Sequence, residues 1–259
     1  MPTALVTGAS AGLGTHFALA LAKRGHNLVL VARREDRLTQ LAGMIRDKHG
    51  VATHVVAADL AKKTAISKLV QTVERDGLTI DLLVNNAGFG ARGSFAEIDR
   101  ALQARMIDVN CRALVELCHA FLPPMIAGRG GGILNVASTA AFQPGPWMAV
   151  YYATKAFVLS FSEALHEEVK AHGVHVSALC PGPTRTEFAE IAAMGDSELF
   201  KRFAGPPEKV VAAGLNALRA NRAVAVSGAM NKVSASSIRF VPRGLARRLA
   251  GAMQKARQE

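Results

Sequence analysis

The sequence predicts an α/β protein built on a doubly wound parallel sheet, and three observations carry that prediction. Short aliphatic runs alternate with helical segments from Ala4 to Val226. The first run empties into a glycine-rich turn that opens a helix. Later runs end in small or polar residues, Asn85-Asn86-Ala87-Gly88 and Ser138 among them, at the strand ends where such sheets carry ligands.

Composition sets the bounds. A chain of 259 residues that is 50% hydrophobic suits one large domain with a sizeable core. Residues 1–229 are expected to form that domain, with a substrate lid at about 187–205 and a basic, helical extension at 230–259. The net charge is +11, and residues 230–259 contribute +6 of it, with seven basic residues against Glu259 alone. Basicity confined to a tail, without interleaved aromatics, argues against a nucleic-acid binder. Cys111, Cys118 and Cys180 form no C-x-x-C pair and no cluster with metal-ligand spacing, so no metal site is expected. They read as buried thiols of a cytoplasmic protein. Thr3–Val6 already reads as strand, so no secretory leader is expected, and no run of 18 apolar residues suggests a membrane span.

The elements follow in order. Ala4 to Thr7 is the first strand, and Thr7-Gly8-Ala9-Ser10-Ala11-Gly12-Leu13-Gly14 turns it into a helix through Phe17 and Leu21, stopped by Gly25. Bare N–H groups and a positive dipole end at such a turn suit a pyrophosphate. The spacing G-x-x-x-G-x-G differs from the common G-x-G-x-x-G fingerprint. Asn27 to Ala32 is the second strand, followed by Arg33-Arg34. An acid there would accept from a ribose 2′-hydroxyl, whereas arginine accommodates a 2′-phosphate, so NADP(H) is expected over NAD(H).

Residues 35–49 form a charged amphipathic helix ended by Gly50, and Thr53 to Ala57 a third strand leading to Asp59-Leu60. Asp59 is placed to meet an adenine amino group. Lys62 to Asp76 is a helix, and Asp81 to Val84 the fourth strand. The small residues after it let a cofactor approach, and its paired asparagines can knit neighbouring strands. Asp99 to Ala127 is a long helical region with a bend or break expected near its end at Pro123-Pro124. Asn110, a poor helix former, invites a reason there, such as a freed carbonyl holding water. Ile133 to Ala137 is the fifth strand, delivering Ser138. A helix from about Val150 to His172 carries Tyr151 and Lys155, and Val174 to Leu179 is the sixth strand, followed by Cys180-Pro181-Gly182-Pro183-Thr184-Arg185-Thr186. His172 and His175 read as turn or surface residues. After the lid, Glu208 to Ala220 is a helix and Ala223 to Val226 the seventh strand.

Chemistry concentrates at Tyr151 and Lys155. Spaced four apart on a helix, they share a face, and an ammonium near a phenol stabilises phenolate and is expected to lower its pKa. Tyr152 lies about 100° further round the helix, so Tyr151 is the one chosen to face the substrate.

Taken jointly, the T-G-x-x-x-G-x-G turn, N-N-A-G, Ser138, Y-x-x-x-K and the P-G-x-x-x-T run resemble the classical short-chain dehydrogenase/reductase family. The run Val31-Ala32-Arg33-Arg34 and the ending Cys180 to Phe188 are most similar to its ketoacyl-reductase and hydroxysteroid-dehydrogenase-like branch. The resemblance spans about residues 3–228. It implies a Rossmann-type three-layer αβα sandwich with seven parallel strands in the order 3-2-1-4-5-6-7. It implies Tyr151 as general acid/base, Lys155 as the residue lowering its pKa and holding the nicotinamide ribose, Ser138 on the substrate oxygen, and Asn110 holding a water that relays protons to Lys155. It further implies cofactor contacts at Gly8, Ser10, Gly12, Leu13, Gly14, Arg33, Asp59, Leu60, Asn85, Ala87, Gly88, Pro181, Gly182 and Thr186. Many NADP-using members carry a basic residue where this chain has Ala11, which leaves phosphate preference to Arg33.

Phe89, Phe142, Trp147, Met148, Phe188 and Met194 are candidate walls for a lipophilic ketone or secondary alcohol, or else core filling. The resemblance also implies a homodimer or homotetramer through the two long helices. Leu245, Leu249, Met253 and Ala256 recur at helical spacing among arginines. That segment could dock on its own or a partner subunit, contact a membrane surface, or recognise an anionic substrate such as an acyl carrier. The rival to an enzyme is a dinucleotide-binding sensor or scaffold, which would not need Ser138, Tyr151 and Lys155 together.

Overall fold

The computed structural model describes residues 1–187 and 204–254. Seven strands form one parallel sheet: β1 (Thr3–Thr7), β2 (Asn27–Ala32), β3 (Thr53–Ala57), β4 (Leu82–Asn85), β5 (Gly132–Val136), β6 (His175–Cys180) and β7 (Val224–Val226). Their order is β3-β2-β1-β4-β5-β6-β7, as the family resemblance implied. The order reverses between β1 and β4, and the carboxyl ends of those two strands frame a crevice.

The pleat explains why the strands read as continuous apolar runs. Leu5, Val29, Leu83, Ile133 and Val176 face one layer, packed with helices α3 (Ala65–Arg75), α5 (Ala113–Ala127) and α6 (Ala149–Val169). Their neighbours Ala4, Leu28, Leu30, Val84 and Leu134 face α1 (Gly12–Ala22), α2 (Glu35–His49) and α7 (Pro207–Arg219). Both faces of the sheet are covered, so each fully buried aliphatic side chain contributes about 1.5–3 kcal/mol.

Helix ends follow local chemistry. Gly50 closes α2 at φ +66°, a left-handed conformation that glycine adopts without a Cβ clash. Asp99 opens α4 (Arg100–Ile107) by accepting a hydrogen bond from the Leu102 N–H at 2.8 Å. No break occurs at Pro123-Pro124, since α5 runs through both prolines. The irregularity lies earlier, where Asp108–Arg112 widen into a π-helical turn around Asn110. Beyond β7, α8 (Ala229–Ser237) and α9 (Arg243–Gln254) complete the described chain. No helix among the described residues is long and apolar enough to cross a membrane.

Candidate active site

A cavity of about 520 Å³ opens at the carboxyl edge of the sheet, and most of the residues singled out in the sequence line it. Gly8 (φ +67°) and Gly12 (φ +54°) adopt backbone angles that disfavour a side chain. They line the cleft with Ser10 and Leu13, and no side chain caps the first turn of α1, which leaves its N–H groups available to an anion. Gly14 lies beneath. A Cβ there would collide with the Gly8 carbonyl, so its smallness lets α1 pack against the turn. Thr186 covers the turn from the far side, its Cβ 3.2 Å from where a Gly12 Cβ would be.

At the other end of the turn, Arg33 lines the cleft with an exposed guanidinium. Arg34 donates to Ser10 Oγ and to the Ser10 carbonyl, each at 3.4 Å, and to the Glu187 carboxylate at 3.2 Å. Asp59 also lines the cleft, but its carboxylate accepts a 2.7 Å bond from Arg105. Neither Arg105 nor Glu187 stands out as a site residue in the sequence.

The paired asparagines part company. Asn86 lines the cleft and donates to the Thr7 carbonyl at 2.9 Å, stitching β4 to β1. Asn85, expected on the cofactor floor, turns the other way because it follows the pleat of Leu83. Its Nδ2 donates to Asn135 Oδ1 at 2.9 Å in the buried interior, tying β4 to β5. Ala87, Gly88, Pro181, Gly182 and Leu60 line the cleft as expected.

Ser138, Tyr151 and Lys155 converge on one wall. Ser138 lies two residues beyond β5, and its Oγ accepts from the Ala140 N–H at 3.1 Å, which fixes its orientation. Tyr151 hydrogen-bonds with Ser138. Lys155, 5% exposed, donates from Nζ to the Val136 carbonyl at 2.8 Å and lies 5.9 Å from the Tyr151 ring centroid. Burial pushes the Lys155 ammonium down to about 8, with the neighbouring Cys111 and Cys180 opposing. The expected lowering of the phenol is not found. Burial raises the Tyr151 pKa above its ordinary value, outweighing the opposing Ser138 hydrogen bond, and Tyr152 adds to the rise. Spacing revealed the cation but not the desolvation that both groups share.

Asn110 stands behind this wall and does not line the cleft. Its Nδ2 donates to the Phe89 carbonyl and to Thr154 Oγ1, both at 3.0 Å, and its Oδ1 accepts from the Phe89 N–H at 3.1 Å. The π-helical turn thus delivers a side chain that clamps the Gly88-Phe89 loop to α6. A Cβ on Gly88 would lie 3.1 Å from Asn110 Oδ1 and 3.4 Å from Lys155 Nζ, which accounts for glycine at that point.

Of the expected substrate wall, Phe89 and Met148 line the cleft. Phe142, at the end of the short helical turn after Ser138, packs instead against the main core. Trp147 takes φ +69° and faces a separate small cavity beside Phe95. Phe188 and Met194, with most of the expected lid, lie outside the described residues. Two further described residues join the wall. Tyr152 lines the cleft as well as Tyr151, and Gln254 donates to the Tyr152 hydroxyl at 2.8 Å. Helix α9 docks on its own chain through buried Ala246, Ala250 and Gln254, and Arg92 Nε donates to the Gln254 carbonyl at 2.8 Å. Only long-range folding brings Gln254 here; no local signal marks it.

A parallel sheet with an uncapped glycine turn at its order reversal, facing a Ser-Tyr-Lys wall, defines a dinucleotide-binding α/β protein of oxidoreductase type. The family model described as short chain dehydrogenase matches residues 2–194, and the chain belongs to that family. The chain is 37% identical over 218 residues to a very-long-chain 3-oxoacyl-CoA reductase of Phaeosphaeria nodorum, covering 75% of this chain and 63% of that protein, so it spans less than two thirds of that relative's length. It is 36% identical over 194 residues to sulfoacetaldehyde reductase 2 of Chromohalobacter salexigens, covering 74% and 76%. Among solved structures, a short-chain dehydrogenase from Sphingobium yanoikuyae in complex with NADPH superposes with a TM-score of 0.84 at 33% identity, over 100% of this chain and 97% of that one. A bulky-bulky ketone specific alcohol dehydrogenase from Comamonas testosteroni gives a TM-score of 0.79 at 31% identity, over 100% and 96%.

Proposed function

We propose that this protein is an NADP(H)-dependent oxidoreductase that interconverts a carbonyl and a secondary alcohol on a lipophilic substrate. The observation that carries the reading is the Tyr151 hydroxyl, hydrogen-bonded with Ser138 beside buried Lys155, on the wall of a cleft that begins at an uncapped glycine turn. The cleft fits a dinucleotide. Gly8, Gly12 and the first turn of α1 would hold the pyrophosphate, Arg33 the 2′-phosphate, and Tyr151 with Lys155 the nicotinamide ribose. A bound nicotinamide supplies the hydride.

The chain's own groups handle the oxygen and the proton. In reduction, Ser138 and Tyr151 donate hydrogen bonds to the substrate oxygen as charge builds on it. Burial holds Tyr151 protonated at neutral pH, so the proton is in place when needed. An alkoxide is a far stronger base than a phenolate, so even a raised phenol gives up its proton to it. Phe89 and Met148 supply the apolar lining. Relatives named as a 3-oxoacyl-CoA reductase and a bulky-ketone dehydrogenase support a carbonyl substrate with a large apolar part. The three free thiols fit a cytoplasmic protein, and Phe157, exposed on α6 and stacked on Phe161, fits a homo-oligomer built on the long helices.

The test is a panel of ketones and aldehydes with NADPH and NADH, run on wild type and Tyr151→Phe. Loss of about 100- to 10,000-fold in turnover is expected from removing the acid. A variant as fast as wild type would overturn the mechanism, and cofactor binding without any turnover would favour a sensor.

A further inference from the structure

We propose that Glu187 sets how strongly the adenosine end of the cleft favours a phosphorylated ribose, by competing with the 2′-phosphate for Arg34. The proposal rests on the NADP(H) reading and adds two residues, Arg34 and Glu187, that reading does not use.

The geometry is a three-way clasp. Glu187 Oε2 accepts from Arg34 Nη1 and Nη2, each at 3.2 Å, and Oε1 accepts from Arg37 Nη1 at 2.7 Å. On its other side Arg34 donates Nε and Nη2 to Ser10. Ser10, Arg33, Arg34 and Glu187 all line the cleft, so the carboxylate stands among the groups that would receive an anion. Its neighbour Thr186 packs over the glycine turn. Two guanidinium groups hold the Glu187 carboxyl below the usual carboxylate range, with Arg37 contributing most, so it is charged at neutral pH.

A guanidinium has five N–H donors in a fixed fork, and all three nitrogens of Arg34 are engaged. A 2′-phosphate reaching Arg34 must displace the Glu187 carboxylate or sit beside a like charge. A ribose with a free 2′-hydroxyl carries no such charge and meets neither cost. Among the described residues Arg33 has no ion-pair partner, which makes it the cation open to the phosphate while Arg34 is spoken for.

The experiment compares dissociation constants of NADPH and NADH for the full chain, wild type and Glu187→Gln, by fluorescence titration. The substitution is isosteric at a residue with a 40% exposed side chain. NADPH should bind about three- to fivefold more tightly to the variant, the size of one partly exposed charge contact, while NADH moves by less than about twofold. An unchanged NADPH to NADH ratio overturns the proposal. Weaker NADPH binding also overturns it, because Glu187 would then be orienting Arg34 for the phosphate. Arg33→Ala and Arg34→Ala separate this from the underlying reading. If neither changes the ratio, the phosphate-site assignment fails. If they weaken the preference for NADPH over NADH and Glu187→Gln does not strengthen it, only the competition fails.

Discussion

Gln254 reaches back 102 positions to donate a 2.8 Å hydrogen bond to the hydroxyl of Tyr152, so the last described helix walls the cleft that the first turn opens. Both side chains are buried, at 3% and 8% exposure, and a partner left alone there costs about 1–3 kcal/mol. Gln254→Leu should therefore loosen α9, read as faster hydrogen exchange across residues 243–254. Tyr152→Phe should produce the same loosening, and the double variant should be little worse than either alone. Additive effects would mean that the bond does not hold the helix.

Tyr151 and Tyr152 are the two tyrosines of the chain, and burial raises both above their ordinary value of 10. The folded protein at pH 10 should show clearly less tyrosinate absorbance than the urea-unfolded chain, which should show about half of its maximum. Above pH 10 the folded state holds protons that the unfolded chain has released, so stability falls as pH rises through that value. Half-maximal tyrosinate in the folded protein at pH 10 would contradict the burial argument.

Lys155 works in the opposite sense over a lower range. Its folded pKa of about 8 lies below the ordinary 10.5, so between these values the unfolded chain binds the extra proton. The cost of burying the ammonium is fully present below pH 8 and is relieved as pH rises through the window. Urea midpoints at pH 7.5 and 9.5 should rise more for wild type than for Lys155→Met, chosen pH values spanning roughly the lower half of the titration. Parallel profiles would place the Lys155 proton outside that window.

Two glycines should respond with opposite signs. Gly14→Ala forces a Cβ against the Gly8 carbonyl, with backbone on both sides of the clash. It should cost about 1–3 kcal/mol and weaken dinucleotide binding. Gly43, inside α2 with nothing within 4 Å of where a methyl would stand, should accept alanine and gain about 0.5–1 kcal/mol. Thermal denaturation of the pair decides both.

Sheet and helices were legible because each strand is buried on both faces and each helix has an apolar stripe. Strand boundaries moved by at most a residue: the sixth strand, expected over Val174 to Leu179, runs His175–Cys180. Helix ends moved further, α3 beginning at Ala65 where Lys62 was expected. Ser138, Tyr151 and Lys155 were legible because strand end and helix spacing fix them locally. The clasps were not. Arg105 meets Asp59 across 46 positions and Arg34 meets Glu187 across 153, separations that no period records. Asn85 and Asn86 look alike in sequence, and only the pleat sends one inward to Asn135 and the other to the cleft. The direction of the Tyr151 shift escaped for a related reason. Charge is visible in the sequence, while the loss of water around it emerges only when the layers close.

Helix α9 also gives the protein an order of assembly. Translation releases the glycine turn long before the Gln254 wall, so any groove formed before α9 emerges has one side open. The site acquires its final outline only when α9 has emerged and settled against Tyr152, which makes release of that helix from the ribosome a condition of a finished pocket.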